Sequence, residues 1–149
     1  MKEEIPIGAV IVKNNKIISK AYNKREKSQV ATHHAEIIAI EKACKKLKSW
    51  RLDECDLYVT LEPCPMCAGA IMNARIKNVY YAVADIDNGG HSRFNIFSNC
   101  LNHSASCHQI KEFEEINKKL IQNFFKIKRK QQRKNKKKWE SLTFSHFFN

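Results

Sequence analysis

The chain has 149 residues, of which 43% are apolar, and a formal charge of +12. This length fits one domain with a sizeable core, and four Gly with three Pro argue against a disordered or collagen-like chain. No apolar run reaches the length of about 18 residues that a membrane span needs, and the first residues lack an apolar signal-peptide region. The sequence therefore predicts a cytoplasmic protein with no membrane span.

Most of the positive charge lies at the C-terminal end. Nine basic residues and one acid fall within 126–149, whereas the rest of the chain is nearly neutral. A basic extension on a near-neutral body favours a nucleic-acid partner, and a solvated helix end is the alternative. We expect a domain over 1–125, followed by a basic helical extension and tail over 126–149.

The first predicted elements are a hairpin and a helix. Apolar runs at 7–12 and 16–22 flank the turn signal Asn14-Asn15 and predict a β-hairpin. The polar residues 23–33 predict a loop. A helix beginning at His34 is then predicted from the spacing of four residues that share one face, namely Ile37, Ile40, Cys44 and Leu47.

The second half of the chain continues the alternation of strands and helices. Residues 57–61 predict a strand, 66–75 a helix, 79–83 a strand and 84–109 one long irregular loop of the kind that is usually functional. A final helix is predicted from an apolar stripe over Phe113, Ile116, Leu120, Phe124 and Ile127. This order predicts an α/β fold with one mixed sheet covered by helices on both faces.

A Cys-x-x-Cys pair lies where a strand turns into the second helix. Pro65 suits the first helical position because its missing N–H would have no partner there. Cys64 then caps the helix and Cys67 lies one turn further, so both sulfurs face the same point, and the helix dipole favours their thiolates. By itself this spacing also fits two core cysteines or a redox pair.

The string His34-Ala35-Glu36 at the entrance of the first helix completes a catalytic pattern. At a helix entrance His34 can point to the same place as Glu36. Three ligands, His34, Cys64 and Cys67, leave one tetrahedral position open, as catalytic zinc sites do. Zinc lowers the pKa of a bound water toward about 7, and Glu36 is placed to handle the protons of that water.

These strings form the signature H-x-E…P-C-x-x-C of zinc-dependent nucleobase deaminases. Over about residues 6–130 the chain resembles the bacterial tRNA-specific adenosine deaminases. The further matching strings are Pro6-Ile7-Gly8-Ala9-Val10, Ala21-Tyr22-Asn23, Leu61 through Ile71, and Phe124-Phe125-Lys126. The resemblance implies a three-layer α/β/α cytidine-deaminase-like fold with a mixed central sheet, a bound Zn²⁺, a homodimer, and conversion of the wobble adenosine of a tRNA anticodon loop to inosine.

The resemblance also implies roles for individual residues. His34, Cys64 and Cys67 would hold the zinc, and Glu36 would transfer protons. Asn23 and Asp85 would contact the target nucleotide, although a turn residue and a loop cap are the alternatives for these two. Phe125 and the basic residues after it, Lys128 and Arg129 among them, would meet the anticodon stem-loop, while Phe124 is expected in the core.

Two stretches depart from the family. Its members usually begin with a helix before the Pro-x-Gly-Ala-Val strand, which here opens almost at Met1. Residues 106–111 make a poor strand where the family has one. A second zinc site is also suggested by the spacing of Cys100, His103, Cys107 and His108, but we do not expect one because ligands on a single loop lack rigid support.

The alternatives to a tRNA deaminase are a deaminase of free cytosine, guanine or a nucleoside, a non-catalytic zinc-stabilised RNA-binding module, and a redox protein. A free-base enzyme has no need for nine basic residues after Phe125. An RNA-binding module leaves Glu36 and the open zinc position unexplained. A redox pair explains neither His34 nor Glu36.

Overall fold

One mixed five-stranded sheet organises the protein. The computed structural model describes residues 4–98 and 103–147, with side chains described as far as Trp139. The strands run in the order β2-β1-β3-β4-β5, with β1 antiparallel to both neighbours and β3, β4 and β5 parallel. Their bounds are β1 Gly8–Lys13, β2 Lys16–Tyr22, β3 Cys55–Leu61, β4 Asn78–Val83 and β5 Ser106–Gln109.

In the residues that the structure describes, four α-helices connect and follow the strands. They are α1 Arg25–Ser28, α2 Ala35–Leu47, α3 Pro65–Asn73 and α4 Glu114–Phe147, and a 3₁₀ turn, Lys111–Phe113, precedes α4. The parallel pair β3 and β4 is joined through α3, as parallel neighbours require. Within the described ranges no helix is both long and apolar enough to cross a membrane.

The hairpin predicted for the first two strands is confirmed. Asn14 and Asn15 have φ angles of 50° and 58°, which is the left-handed region that a two-residue hairpin turn of type I′ requires at both positions. Asparagine visits this region more easily than other residues with a side chain. The dipeptide therefore fixes where β1 ends and β2 begins.

Helix α2 is confirmed, but the face on which it packs differs from the predicted one. The most deeply buried residues of α2 include the small Ala35, Ala39 and Ala43, while Ile37 and Ile40 are only half-buried at the sides. Small side chains let the helix backbone approach the sheet closely, and the Ser19 hydroxyl donates to the Ala39 carbonyl at 2.7 Å. The spacing of the larger apolar residues therefore predicted the helix correctly, but these residues do not lie at the centre of its contact with the sheet.

Two segments predicted as loops contain regular structure. The polar segment 23–33 includes the short helix α1. The segment 84–109 includes β5, which pairs with β4 although its sequence, Ser-Cys-His-Gln, has weak strand propensity. Pairing with a buried neighbour decides the conformation of a short edge strand more than its own residues do. Phe97 from the same segment is buried in the core.

The final helix is confirmed, but its apolar stripe is not part of the core. Ile116 is 61% exposed, and Phe113, Leu120 and Ile127 are exposed as well. Phe124 was expected in the core, but it is only half-buried and lines a cavity. Helix α4 contacts β4 and the preceding turn and then continues past the sheet. Its spacing therefore predicted a helix correctly and burial wrongly.

Candidate active site

The candidate metal ligands lie at the N-termini of two helices. His34 caps α2 and Cys64 caps α3, both with extended backbone, and Pro65 is the first residue of α3 as the sequence predicted. Cys67 follows in the first turn of α3. The His34 Nδ1 atom lies 3.8 Å from the Cys64 Sγ and 3.6 Å from the Cys67 Sγ. Two strings that are 30 residues apart in the chain thus meet at one point.

These three side chains fit a tetrahedral zinc ion. Their ligand atoms all lie within 4.8 Å of one another. With Zn–S near 2.3 Å and Zn–N near 2.0 Å, tetrahedral geometry separates neighbouring ligand atoms by about 3.5 to 3.8 Å. In the part of the chain that the structure describes, no other three His, Cys, Asp or Glu side chains converge in this way, and Cys100 of the alternative cluster lies outside the described residues.

The protons of this group are unevenly shared. A hydrogen bond from the Cys67 thiol, assisted by His34, lowers the pKa of Cys64 to about 4. The hydrogen bond with Cys64 and burial raise the pKa of Cys67, and the hydrogen bond with Cys64 raises the pKa of His34. Cys64 is therefore a thiolate at neutral pH, and its negative charge favours a cation between the three side chains.

Glu36 is a buried carboxylate beside the ligand group. It lies in the first turn of α2, is 4% exposed, and faces the same cavity as His34 and Cys64. Burial raises its pKa, and the nearby His34 opposes that shift only in part. A carboxyl group with a raised pKa holds a proton more readily than an ordinary carboxyl group does, which suits a general acid–base role.

The ligand group opens into a cavity of about 460 Å³. Apart from the ligand group, the walls include four of the residues predicted to bind substrate, namely Asn23, Asp85, Phe125 and Lys128. Arg129 is exposed on α4 and does not line this cavity. These four residues come from three distant segments of the sequence and surround one space next to Glu36.

Asn23 is not an exposed turn residue. It is 5% exposed, and its backbone N–H donates to the Ile7 carbonyl at 3.0 Å, which continues the pairing of β1 and β2. Its side-chain amide donates to Glu4 Oε2 at 2.8 Å. A buried amide at a cavity wall is placed to recognise a polar ligand.

Asp85 is a loop cap that also lies at the cavity. Its Oδ1 atom accepts the Asn88 N–H at 3.0 Å, as a loop cap does, and its side chain also lines the cavity. The backbone N–H of Asp85 donates to Glu62 Oε2 at 2.8 Å. The position of Asp85 at the cavity therefore depends on a second carboxylate.

The part of α4 that passes the cavity carries aromatic and basic side chains. Phe124 and Phe125 pack edge to face with ring centres 5.4 Å apart, and both line the cavity. The Lys128 Nζ atom lies 5.6 Å from the centre of the Phe124 ring, within range of a cation–π interaction. A partly exposed Phe125 ring and a positive charge thus border the same opening.

Glu62 is a functional-site residue that the sequence did not single out. It is 2% exposed and accepts hydrogen bonds from the backbone N–H groups of Asp85, His91 and Ser92, and from the Ser92 hydroxyl. Its carboxylate thereby holds the loop after β4 against the end of β3. The available signal was a charged residue between the end of β3 and Pro63.

Known proteins are similar to this chain in fold and in sequence. The MafB19-like deaminase family matches residues 1–129. A tRNA-specific adenosine deaminase of Rickettsia bellii is 44% identical over 133 residues, which cover 84% of this chain and 88% of the relative. A structure from a study of A-to-I editing by tRNA:A34 deaminases has a TM-score of 0.72 at 38% identity, covering 76% of this chain and 83% of that one. A guanine deaminase of Bacillus subtilis is 52% identical over 82 residues, which cover 55% of this chain and 53% of the relative.

The cytidine-deaminase-like α/β fold is confirmed by the structural neighbour, and the chain is a hydrolytic deaminase. It belongs to the MafB19-like deaminase family and, by its similarity over most of its length, to the tRNA-specific adenosine deaminases.

Proposed function

We propose that this protein converts the wobble adenosine of a tRNA anticodon loop to inosine by hydrolytic deamination. The observation that carries the proposal is the composition of one cavity wall. His34, Glu36 and Cys64 face the same space as Phe125 and Lys128 of the basic helix. A reactive group and a surface suited to RNA therefore border a single opening, as an enzyme that acts on a base within an RNA requires.

We propose that His34, Cys64 and Cys67 hold a Zn²⁺ ion. The distances between their ligand atoms and the low pKa of Cys64 support this assignment. When bound, zinc would lower the pKa of a water molecule toward about 7 and so supply the nucleophile at neutral pH.

Glu36 carries the proton transfers. Its carboxylate takes a proton from the water that attacks C6 of adenine and passes this proton to N1 of the ring. Glu36 then takes a second proton from the new hydroxyl on C6 and passes it to the exocyclic amine. The amine leaves as ammonia while C6 keeps the oxygen as a carbonyl. Burial of Glu36 supports this role because it raises the pKa of the carboxyl group and allows it to hold a proton between steps.

Binding of the RNA divides between base recognition and backbone contacts. Asn23 and Asp85 contact the target nucleotide inside the cavity, and the Phe125 ring offers a surface on which a splayed base can stack. Lys128 at the opening and Arg129 beside it on α4 meet phosphates. Phosphate contacts position the RNA, while the cavity selects the base.

A guanine deaminase is the second candidate, because one such enzyme is 52% identical to part of this chain. That similarity covers 55% of the chain, whereas the match to the Rickettsia bellii tRNA-specific adenosine deaminase covers 84%. A free base also makes no use of the basic part of α4.

The deciding experiment offers both substrates to the zinc-loaded protein. An anticodon hairpin with adenosine at the wobble position is incubated beside free guanine and free cytosine, and inosine and ammonia are quantified. We expect inosine at the wobble position only. Release of ammonia from a free base with the hairpin left intact would overturn the proposal in favour of the second candidate.

The resemblance also leads us to propose that the chain acts as a cytoplasmic homodimer, with a catalytic domain over 1–125 and an RNA-binding extension over 126–149. Light scattering on the purified protein measures its oligomeric state. A monomeric mass in the active preparation would contradict the homodimer.

A further inference from the structure

We propose that Glu4 is a positioning residue that sets the orientation of the Asn23 side-chain amide for recognition of the base. This inference rests on the proposed function, in which Asn23 contacts the target nucleotide. Glu4 Oε2 accepts a hydrogen bond from Asn23 Nδ2 at 2.8 Å, and both residues line the cavity. The two residues are 19 positions apart, so the contact depends on the fold and not on local sequence.

The chemistry of the pair determines which end of the amide faces Glu4. An ionised carboxylate has acceptors only, so the amide must present its NH₂ group to it. The side-chain oxygen of Asn23, Oδ1, then points away from Glu4 and accepts no hydrogen bond from the described residues. A base is thus offered one acceptor and the second amide hydrogen in a fixed arrangement, whereas an amide free to flip would present either end.

The second oxygen of Glu4 fixes the segment on which Asn23 lies. Glu4 Oε1 accepts the backbone N–H of Lys27 at 2.6 Å, in the first turn of α1. Lys24 at the N-cap of α1 supplies no side-chain hydrogen bond, so Glu4 satisfies this N–H from outside the helix. One carboxylate therefore holds both the amide and the turn that follows it, which preorganises Asn23 before substrate arrives.

A double-mutant cycle tests this role with the zinc-loaded full chain. Glu4→Ala should lower kcat/KM for the anticodon hairpin by about tenfold or more, the usual effect of losing a hydrogen bond to a charged group. Glu4→Gln keeps only one acceptor oxygen for two donors and should lie between Glu4→Ala and the unmodified chain. In an Asn23→Ala background, Glu4→Ala should have little further effect, because its action passes through Asn23.

The chain offers a matched control for this cycle. Asn78 Nδ2 donates to Asp56 Oδ1 at 2.6 Å. This is the same kind of pair, and it lies at the N-terminal ends of β3 and β4, whereas Cys64 and Asp85 follow their C-terminal ends. Asp56→Ala should leave kcat/KM unchanged. If Glu4 only stabilised the fold, Glu4→Ala would cost the same factor with Asn23 present or absent, and such additivity would overturn the proposal.

A second measurement does not depend on turnover. The side-chain amide signals of Asn23 in ¹H–¹⁵N spectra should shift in Glu4→Gln while those of Asn78 stay in place. If free guanine proves to be the substrate, the proposed function fails and the same cycle is measured with guanine. Unshifted Asn23 signals would overturn the role of Glu4 whatever the substrate is.

Discussion

The Glu62 carboxylate binds Ser92 twice. The Ser92 backbone N–H donates to Oε1 at 2.7 Å and its hydroxyl to Oε2 at 2.9 Å, across 30 positions of sequence. The Asp85 N–H donates to the same carboxylate. Because the loop that carries Asp85 is tied to a residue next to the metal ligands, the wall of the cavity and the metal centre share one support.

Gly89 is required by this arrangement. A Cβ atom on Gly89 would overlap the Glu62 carboxylate and lie 2.5 Å from the Asp85 carbonyl oxygen. Four hydrogen bonds prevent Glu62 from moving aside, so Gly89→Ala should lower the free energy of unfolding by about 1–3 kcal/mol. Denaturant titration measures it.

Gly69 provides the matched control for Gly89. It lies inside α3, and a Cβ there would meet nothing within 4 Å. Gly69→Ala should raise the free energy of unfolding by about 0.5–1 kcal/mol, because alanine favours a helix. Equal effects at the two glycines would contradict the support assigned to Glu62.

The zinc content of the protein should depend on the three predicted ligands. Elemental analysis should find one zinc per chain and almost none in a Cys64→Ser/Cys67→Ser variant. Cys44→Ser is the control, since Cys44 lies on α2 outside the ligand group and should not affect zinc. Zinc retained in the double variant would exclude this ligand set.

Zinc affinity should rise with pH. Zinc needs Cys67 as a thiolate and His34 neutral. Because the pKa values of Cys67 and His34 are both raised, protons compete with the metal at neutral pH, and this competition weakens as pH increases. Competition with a chelator at pH 6 and pH 8 measures the difference, and an affinity that does not change between them would refute this expectation.

Glu36→Ala should retain zinc and lose turnover. General acid–base groups contribute about 10²–10⁴-fold in rate. Removing the carboxylate takes away its hydrogen bond with Cys67 but leaves all three ligand atoms in place. Single-turnover deamination of the hairpin and zinc content are measured on the same sample. A near-normal rate would assign Glu36 to structure.

The basic residues of α4 should govern the salt dependence of RNA binding. Replacing Lys128, Arg129 and Lys130 by Ala removes three charges beside the cavity. The slope of log affinity against log salt is negative, and its magnitude should fall by about 2, at about 0.7 per phosphate contact. Lys45 and Lys48 at the far end of α2 serve as the control pair. An unchanged slope in the triple variant would mean that this stretch is only solvated.

The residues of the candidate metal centre could be predicted from sequence because the geometry within each of its two strings is local. Helix entrances orient His34 and Cys64, and two short strings encode those entrances. Glu4 and Glu62 could not be found in this way, since each is a single acid with no short string that specifies its role, and only the fold brings its hydrogen-bond donors to it. The prediction that Phe124 is in the core failed for a related reason. The apolar stripe on α4 indicates a helix, whereas the burial of that stripe depends on which surfaces the fold brings against it.

The unbroken course of α4 fixes the direction in which each side chain of the proposed RNA-binding surface points. Phe125 and Lys128 lie on the same wall because about 3.6 residues complete a turn. One residue inserted between them would rotate everything beyond it by about 100°, whereas seven would restore the original direction to within about 20° and add a translation of about 10 Å. Exchanging one basic residue for another in this segment therefore changes the surface less than inserting or deleting residues between the segment and the cavity.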